Sequence, residues 1–390
     1  MELLFWIFLG LVVYTYVGYG LVLFLLIILK RIFSGKPNPD QNNGYTPSLT
    51  LVVPSYNEEG FIEQKIKNSL ELKYPADQLR IIFITDGSTD STPDIVRKYP
   101  EIELMHSPER GGKSKAMNRA MTVVTSEVVV FCDANTDLNP EALLFLARHY
   151  ANEKVGGVSG EKKVVEAGEA TNSGAGEGLY WKYESTLKKW DAELWSIVGA
   201  AGELVSFRAS LWQDLEGDTI LDDFMESLRI AGKGYRFLYE PKAYATETPS
   251  ANVEEELKRK VRIAAGGWQS MLRLPQLWRI WKHPILTFTY VSHRVLRWSI
   301  TAFVLPFLFF VNGLLALRGE PIYIFFFLAQ CLFFGLAYIG FQNEKQGKTG
   351  KLTYVPYYFT VMNYAVWAGF LRHIKGSQKA TWERSKRQQT

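Results

Sequence analysis

The sequence predicts an α/β domain on an open, mainly parallel sheet, held between apolar helices at both ends of the chain. Three observations predict it. Long uncharged runs occupy the two ends; the middle alternates β-rich runs with helical spacing; and polar clusters follow the strands immediately. A chain of 390 residues has room for one well-buried domain and about 150 residues more.

The first uncharged run, Leu3 to Leu29, is longer than the roughly 7–15 residues of a secretory apolar region, and Glu2 is the wrong start for one. It reads as a retained transmembrane helix. Trp298 to Leu317, Pro321 to Phe341 and Leu352 to Leu371 are uncharged in the same way. Lys30, Arg31 and Lys36 follow the first run, which by the positive-inside rule puts the middle block in the cytoplasm of an integral protein of the plasma (inner) membrane. Three C-terminal crossings would then put the basic tail, Arg372 to Arg387, outside, against the same rule. Leu352 to Leu371, interrupted by Pro356 and Asn363, is the segment expected to lie in-plane or re-enter. The divisions are 1–35, 36–284 and 285–390.

In the middle block, Thr50 to Val53 is a strand, followed by a helix carrying Phe61, Ile62, Ile66 and Leu70. Arg80 to Thr85 repeats the pattern and ends at Asp86, ahead of a helix with Thr92 as cap and Pro93 at its first position. Ile102 to Met105 is a weaker strand, Lys113 to Thr125 a helix, and Val128 to Cys132 a strand ending at Asp133, after which Asn139 and Pro140 open another helix. Such a sheet binds ligands beyond the carboxyl ends of its strands. Pro54 to Glu58, Asp86 to Asp90 and Asp133 to Asp137 therefore converge on one crevice. The dinucleotide glycine fingerprint is absent after the first strand, and Ser107 stands where a phosphate loop needs its first glycine. Cys132 and Cys331 make no disulfide framework, and a net charge of +4, widely dispersed, gives no footprint for nucleic acid.

The ordered motifs Pro54-Ser-Tyr-Asn-Glu58, Asp86-Gly-Ser-Thr-Asp90, Gly112-Lys113 with Asn118, Asp133-Ala-Asn135 and Leu221-Asp-Asp223 resemble those of family 2 glycosyltransferases. The flanking helices resemble the membrane-integrated branch with cellulose, chitin-oligosaccharide and hyaluronan synthases. The resemblance implies a GT-A fold and inverting transfer from a nucleotide-sugar, usually a UDP-sugar, to a lipid-linked or glycan acceptor. Pro54, Tyr56, Glu58, Asp86, Lys113, Asn118, Asp133 and Arg262 would then meet the donor, with Asp86 taking an N–H of the nucleobase. Asp133 and Asn135 would bind Mg2+ or Mn2+, hard cations that take oxygen ligands. Asp223 would be the base that accepts the acceptor hydroxyl proton. Gly199, Asp222 and Trp268 fall on the acceptor side.

Two departures stand out. Glu203 falls where a small apolar residue is expected. Processive synthases carry Gln-X-X-Arg-Trp where this chain has Arg259-Lys-Val-Arg262-Ile263, so the stacking aromatic is missing unless Trp268 replaces it at a helix end near Gly266-Gly267. One or a few transfers are expected rather than long-chain synthesis. A processive synthase, a sugar nucleotidyltransferase and a catalytically inactive scaffold remain as alternatives. Trp278, Trp281, His293, Arg294, Arg297 and Trp298 read as a headgroup-layer segment.

Overall fold

The computed structural model describes residues 1–35, 42, 44–164, 172–248, 253–346 and 350–379. Lys36 and residues 380–387 of the basic tail lie outside the described residues. In chain order the main elements are helix α1 (Glu2–Ser34), β1 (Leu49–Ser55), α2 (Ile62–Leu70), β2 (Leu79–Asp86), α3 (Thr92–Val96), β3 (Glu103–Ser107), α4 (Lys113–Met121), β4 (Val128–Cys132), β5 (Asp137–Leu138), α5 (Ala142–Ala147) and β6 (Val155–Val164). Then come α6 (Asn172–Leu194), β7 (Leu204–Arg208), α7 (Asp222–Gly232), β8 (Arg236–Glu247), α8 (Val253–Arg273), α9 (Pro284–Trp298), α10 (Ile300–Ala316), α11 (Pro321–Lys345) and α12 (Lys351–Ile374).

The eight strands form one sheet in the order β3-β2-β1-β4-β7-β6-β8-β5. Only β3-β2-β1-β4 and the β6/β8 pair are parallel; β7 runs antiparallel to both its neighbours and β5 to β8. The sheet is therefore mixed rather than mainly parallel, because an apolar run carries no record of its direction. The alternation of β1 puts Leu51 and Val53 on one face with Ile62, Ile66 and Leu143, and Val52 on the other with Phe131, Met117 and Phe224. Both faces are covered. Emptying one such position, as in Phe131→Ala, costs about 3–5 kcal/mol.

Helix ends shift in ways local signals explain. Thr92 is the first helical residue rather than the cap, and its Oγ1 accepts the Glu58 N–H at 2.8 Å. The segment after Asp133 makes the short strand β5 before α5 begins at Ala142, so Asn139 and Pro140 precede that helix.

At about 1.5 Å per residue the 33-residue α1 is about 50 Å long, more than a ~30 Å hydrocarbon core needs. It is interrupted by a π-helical turn, Tyr14–Gly18. Helices α1 and α11 are each long and apolar enough to cross a membrane, and α9 with α10, bent by 55° at Ser299, makes a third if counted as one span. Leu25, Phe325, Leu328 and Leu332 are more than half exposed on them. An apolar surface of this kind is suited to lipid. Helix α12 is outside that set. It starts against the end of α11, where a Cβ on Gly340 would lie 2.3 Å from the Thr353 carbonyl, and finishes on α8, where Gly369 meets Ala264.

Candidate active site

The residues of the candidate site come from strand and helix ends that the topology brings together. Asp133 follows β4, Asp222 and Asp223 open α7, and Lys113 opens α4. The Lys113 Nζ donates to Asp133 Oδ1 at 2.7 Å and sits 3.6 Å from Asp222 Oδ2. Segment 199–203 closes over them. Gly199 has φ +101° and a Cβ there would fall 2.4 Å from the Phe224 ring, while a Cβ on Gly202 would lie 3.3 Å from Asp223 Oδ2. Only glycine takes the first position without strain.

This crowding sets the protonation states. Burial and the neighbouring Asp222 push Asp223 up to about 7, against the pull of Lys113. Burial also raises Asp133, with Lys113 opposing and Glu203 adding to the rise. Lys113 is desolvated, which lowers it, but Asp133 and Asp222 more than offset this and hold it above its ordinary value. A carboxylate that titrates near neutrality is suited to take a proton during reaction.

No group of three or more His, Cys, Asp and Glu arranged for a metal occurs among the described residues. Asp133 offers a carboxylate and Asn135, two residues on in a turn closed by Thr136 Oγ1 to the Asp133 carbonyl at 2.9 Å, an amide oxygen. These hard donors fit a divalent cation that takes its remaining ligands from a diphosphate and water.

Beside the acids lies a second polar corner. Asp86 Oδ2 accepts the Gly111 and Gly112 N–H groups at 2.9 and 2.6 Å, and Arg119 lies 3.7 Å from Oδ1. The Arg110 guanidinium covers the Tyr56 ring at 3.8 Å. The Pro54 to Glu58 turn, Asp86 and the 110–113 loop thus form one corner. Two backbone amides pin Oδ2 of the carboxylate, and Oδ1 lies toward Arg119.

Asn118 and Trp268 have other surroundings than expected, and Arg262 and Glu203 have partners that the sequence did not reveal. Asn118 donates to the Leu215 carbonyl at 2.8 Å and accepts its N–H at 3.0 Å, stapling the segment that leads to Asp222. Arg262 Nη2 donates to the Ile220 carbonyl at 3.2 Å, and its side chain lines the cavity next to the acids. Helix α8 runs through Gly266 and Gly267 to Arg273, so Trp268 is not at a helix end; its ring packs 4.8 Å from Phe370 and is not in the cavity wall. Trp298 is there instead, 5.1 Å from Phe224. Glu203 is no apolar substitute: Lys162 donates to it at 2.9 Å and also pairs with Glu247. Burial acts to raise Glu203, but Lys162 and Arg259 hold it well below the usual carboxylate range.

The sequence missed Lys162, Glu247, Glu184 and Lys188, which line or support the same space. It also misplaced His293, Arg294 and Arg297. They are buried against Glu184 and Asp191, not set in a headgroup layer, whereas Trp281 is 81% exposed. A cavity of about 1120 Å³ joins Asp133, Asp222 and Asp223 to Trp298 and continues to Tyr16, Tyr358 and Asn363.

Residues 50–215 match the model of glycosyl transferase family 2. A poly-β-1,6-N-acetyl-D-glucosamine synthase of Staphylococcus aureus (strain MSSA476) is 27% identical over 251 residues, 62% of this chain and 60% of the relative. A probable glycosyltransferase, YdaM, of Bacillus subtilis (strain 168) is 26% identical over 267 residues, 64% of this chain and 62% of that one. The chain thus matches less than two thirds of the length of these relatives. Among solved structures, the mannosyltransferase PcManGT from Pyrobaculum calidifontis, in complex with GDP-Man and Mn2+, superposes with a TM-score of 0.70 at 22% identity, covering 96% of this chain and 99% of the other. The motifs, the sheet and these likenesses agree: residues 50–215 match a family 2 glycosyltransferase domain, and the sheet has the GT-A fold.

Proposed function

We propose that the protein transfers a sugar, with inversion, from a nucleotide-sugar to an acceptor held at the membrane. The observation that carries this is Asp223, raised to about 7, in one cavity with Asp133, Asp222 and Lys113. The acceptor hydroxyl oxygen attacks the anomeric carbon as the bond to the nucleoside diphosphate breaks, and Asp223 takes the hydroxyl proton. Lys113 and Arg262 lie where they can stabilise the departing diphosphate. A divalent cation on Asp133 and Asn135 would offset charge on that diphosphate when bound. Asp86 can accept an N–H from uracil, the base that the family resemblance implies, or from guanine, the base in the solved mannosyltransferase's ligand.

The sheet domain lies in the cytoplasm in this reading, against the plasma membrane. Lys30 and Arg31 hold the end of α1 to Glu193, with Arg31 Nε 2.6 Å from its carboxylate, on the side the positive-inside rule assigns to the cytoplasm. Helix α12 lies in-plane there. Arg372 and Lys379 line the same cavity as Asp133, which keeps the start of the basic tail on the cytoplasmic side. Likeness to a polysaccharide synthase favours chain synthesis as a second reading; Ile263 in the cavity wall, where an aromatic would stack on a sugar, favours short products.

The test is nucleoside diphosphate release by purified protein with a panel of UDP- and GDP-sugars, Mg2+ or Mn2+, and native lipid extract. Release that needs one donor, the metal and Asp133 is expected, with Asp133→Ala inactive. No release from any donor, in an extract competent for a known enzyme, would favour the scaffold reading.

A further inference from the structure

Helix α2 packs on the face of the sheet opposite α4, and on it Lys65 is 1% exposed. Its Nζ donates to the Thr136 carbonyl at 2.8 Å. It also lies close enough to Cys132 that its charge opposes the rise burial causes in that thiol. Among the described residues it makes no ion pair. Cys132 and Thr136 bracket Asp133 and Asn135, so the ammonium reaches both ends of the turn that offers the cation ligands.

Two neighbours on α2 grip the chain just beyond that turn. Gln64 Nε2 donates to the Asp137 carboxylate at 2.5 Å, and the Asn68 side chain donates to the Leu138 carbonyl at 2.8 Å and accepts its N–H at 2.9 Å. Residues 136, 137 and 138 are thus each held by a side chain of one helix. The same helix opens on the Pro54 to Glu58 turn, where the Glu58 carbonyl accepts the Ile62 N–H at 2.8 Å. Helix α2 therefore joins the Asp86 corner to the Asp133 turn.

A neutral amide is enough to satisfy a buried carbonyl, as Asn68 shows at Leu138, whereas a fully buried ammonium is costly and rare. The turn it holds has few charges of its own. Its ligands are one carboxylate, already paired with Lys113 at 2.7 Å, and one neutral amide. So weak a charge set binds a divalent ion well only if the ligands are held in place beforehand, and groups behind the ligands do this. We infer that Lys65 is a positioning residue for the cation site. By holding the Thr136 carbonyl from within the core, it fixes the 133–136 turn, and with it the spacing of the Asp133 carboxylate and the Asn135 amide, before a cation arrives. Lys65 is not in the cavity wall and acts only through the turn. This rests on the cation reading above and adds the residue that shapes that same site.

The test uses the full-length protein in nanodiscs, with Mn2+ binding followed by electron paramagnetic resonance, alone and with UDP or GDP. Lys65→Met keeps the length of the side chain but loses its donor and its charge, while Lys65→Gln keeps an N–H donor. Expected is a Kd for Mn2+ about 10–100-fold higher in Lys65→Met, with Lys65→Gln between it and the unaltered protein. Binding of uridine or guanosine without metal stays as in the unaltered protein, because the Asp86 corner is intact. A merely structural role lowers the unfolding midpoint and leaves the Mn2+ Kd where it was, and that result overturns the inference. Should Lys65→Met not fold, hydrogen exchange on the unaltered protein decides. Residues 134–139 are expected to be as protected without Mn2+ as with it, and protection that appears only on Mn2+ binding overturns the inference. Asp133→Ala separates the two readings. Mn2+ binding lost in Asp133→Ala but unchanged in Lys65→Met defeats the Lys65 role alone. Mn2+ binding that survives Asp133→Ala, or is absent from the unaltered protein, defeats the cation reading and the inference with it.

Discussion

Two buried charge clusters flank the cavity with opposite composition. At the sheet end, Lys113 faces three carboxylates, Asp133, Asp222 and Asp223; at the helix end, Glu184 and Asp191 face Arg294, Arg297 and His293. The difference lies in how each can relax. An acid cluster can shed charge by binding a proton, which Asp223 does near neutrality, whereas guanidinium groups cannot deprotonate. The first cluster is suited to proton transfer and cation exchange, and the second to a fixed arrangement of paired charges.

Breaking the helix cluster has the largest expected effect on stability. Glu184→Ala leaves two guanidinium groups without their shared acid and should cost about 3–5 kcal/mol, read as a fall in unfolding midpoint. Lys113→Met should cost less, since its acids can take protons, but should weaken nucleotide-sugar binding about ten-fold or more in titration calorimetry. A Lys113→Met protein less stable than Glu184→Ala would reverse the comparison. The pH dependence sharpens it. Below about 7 Asp223 carries a proton and cannot accept one, so kcat/KM should fall about ten-fold per unit below that point and level off above it. A flat profile from pH 5.5 to 8 would remove Asp223 from the base role. The smallest effect separates two tryptophans: Trp268→Leu should lose about 0.5–1.5 kcal/mol of aromatic packing and leave the acceptor KM unchanged, while Trp298→Leu raises that KM.

The sheet cluster was legible in the sequence because strand ends are. A strand that stops at Asp133 or Asp86 has only one edge of a parallel sheet to face, so residue order alone brought these acids together. The direction of β7 and the partners of Glu203 were not legible, since apolar alternation reads the same both ways and Lys162 lies on a strand, β6, that the reading of the sequence did not include. The helix cluster left no trace. Glu184 and Arg294 are far apart in sequence on α6 and α9, and their contact depends on how long helices pack. Arg294 and Arg297 beside Trp298 look in sequence like an interfacial segment, and only tertiary burial against α6 distinguishes the two. Trp268 was misjudged for a related reason: two glycines usually weaken a helix, but here Gly266 and Gly267 admit Leu221 and the Trp298 ring, and α8 continues.

The central claim is that Asp223 takes the proton in sugar transfer. The most direct measurement compares the unaltered protein with Asp223→Asn in a single-turnover reaction, with radiolabelled donor, metal and native lipid extract, and with donor affinity measured alongside. The account predicts donor binding within a few-fold of the unaltered protein and a transfer rate lower by about 10²–10⁴. Transfer at an undiminished rate in Asp223→Asn would contradict it.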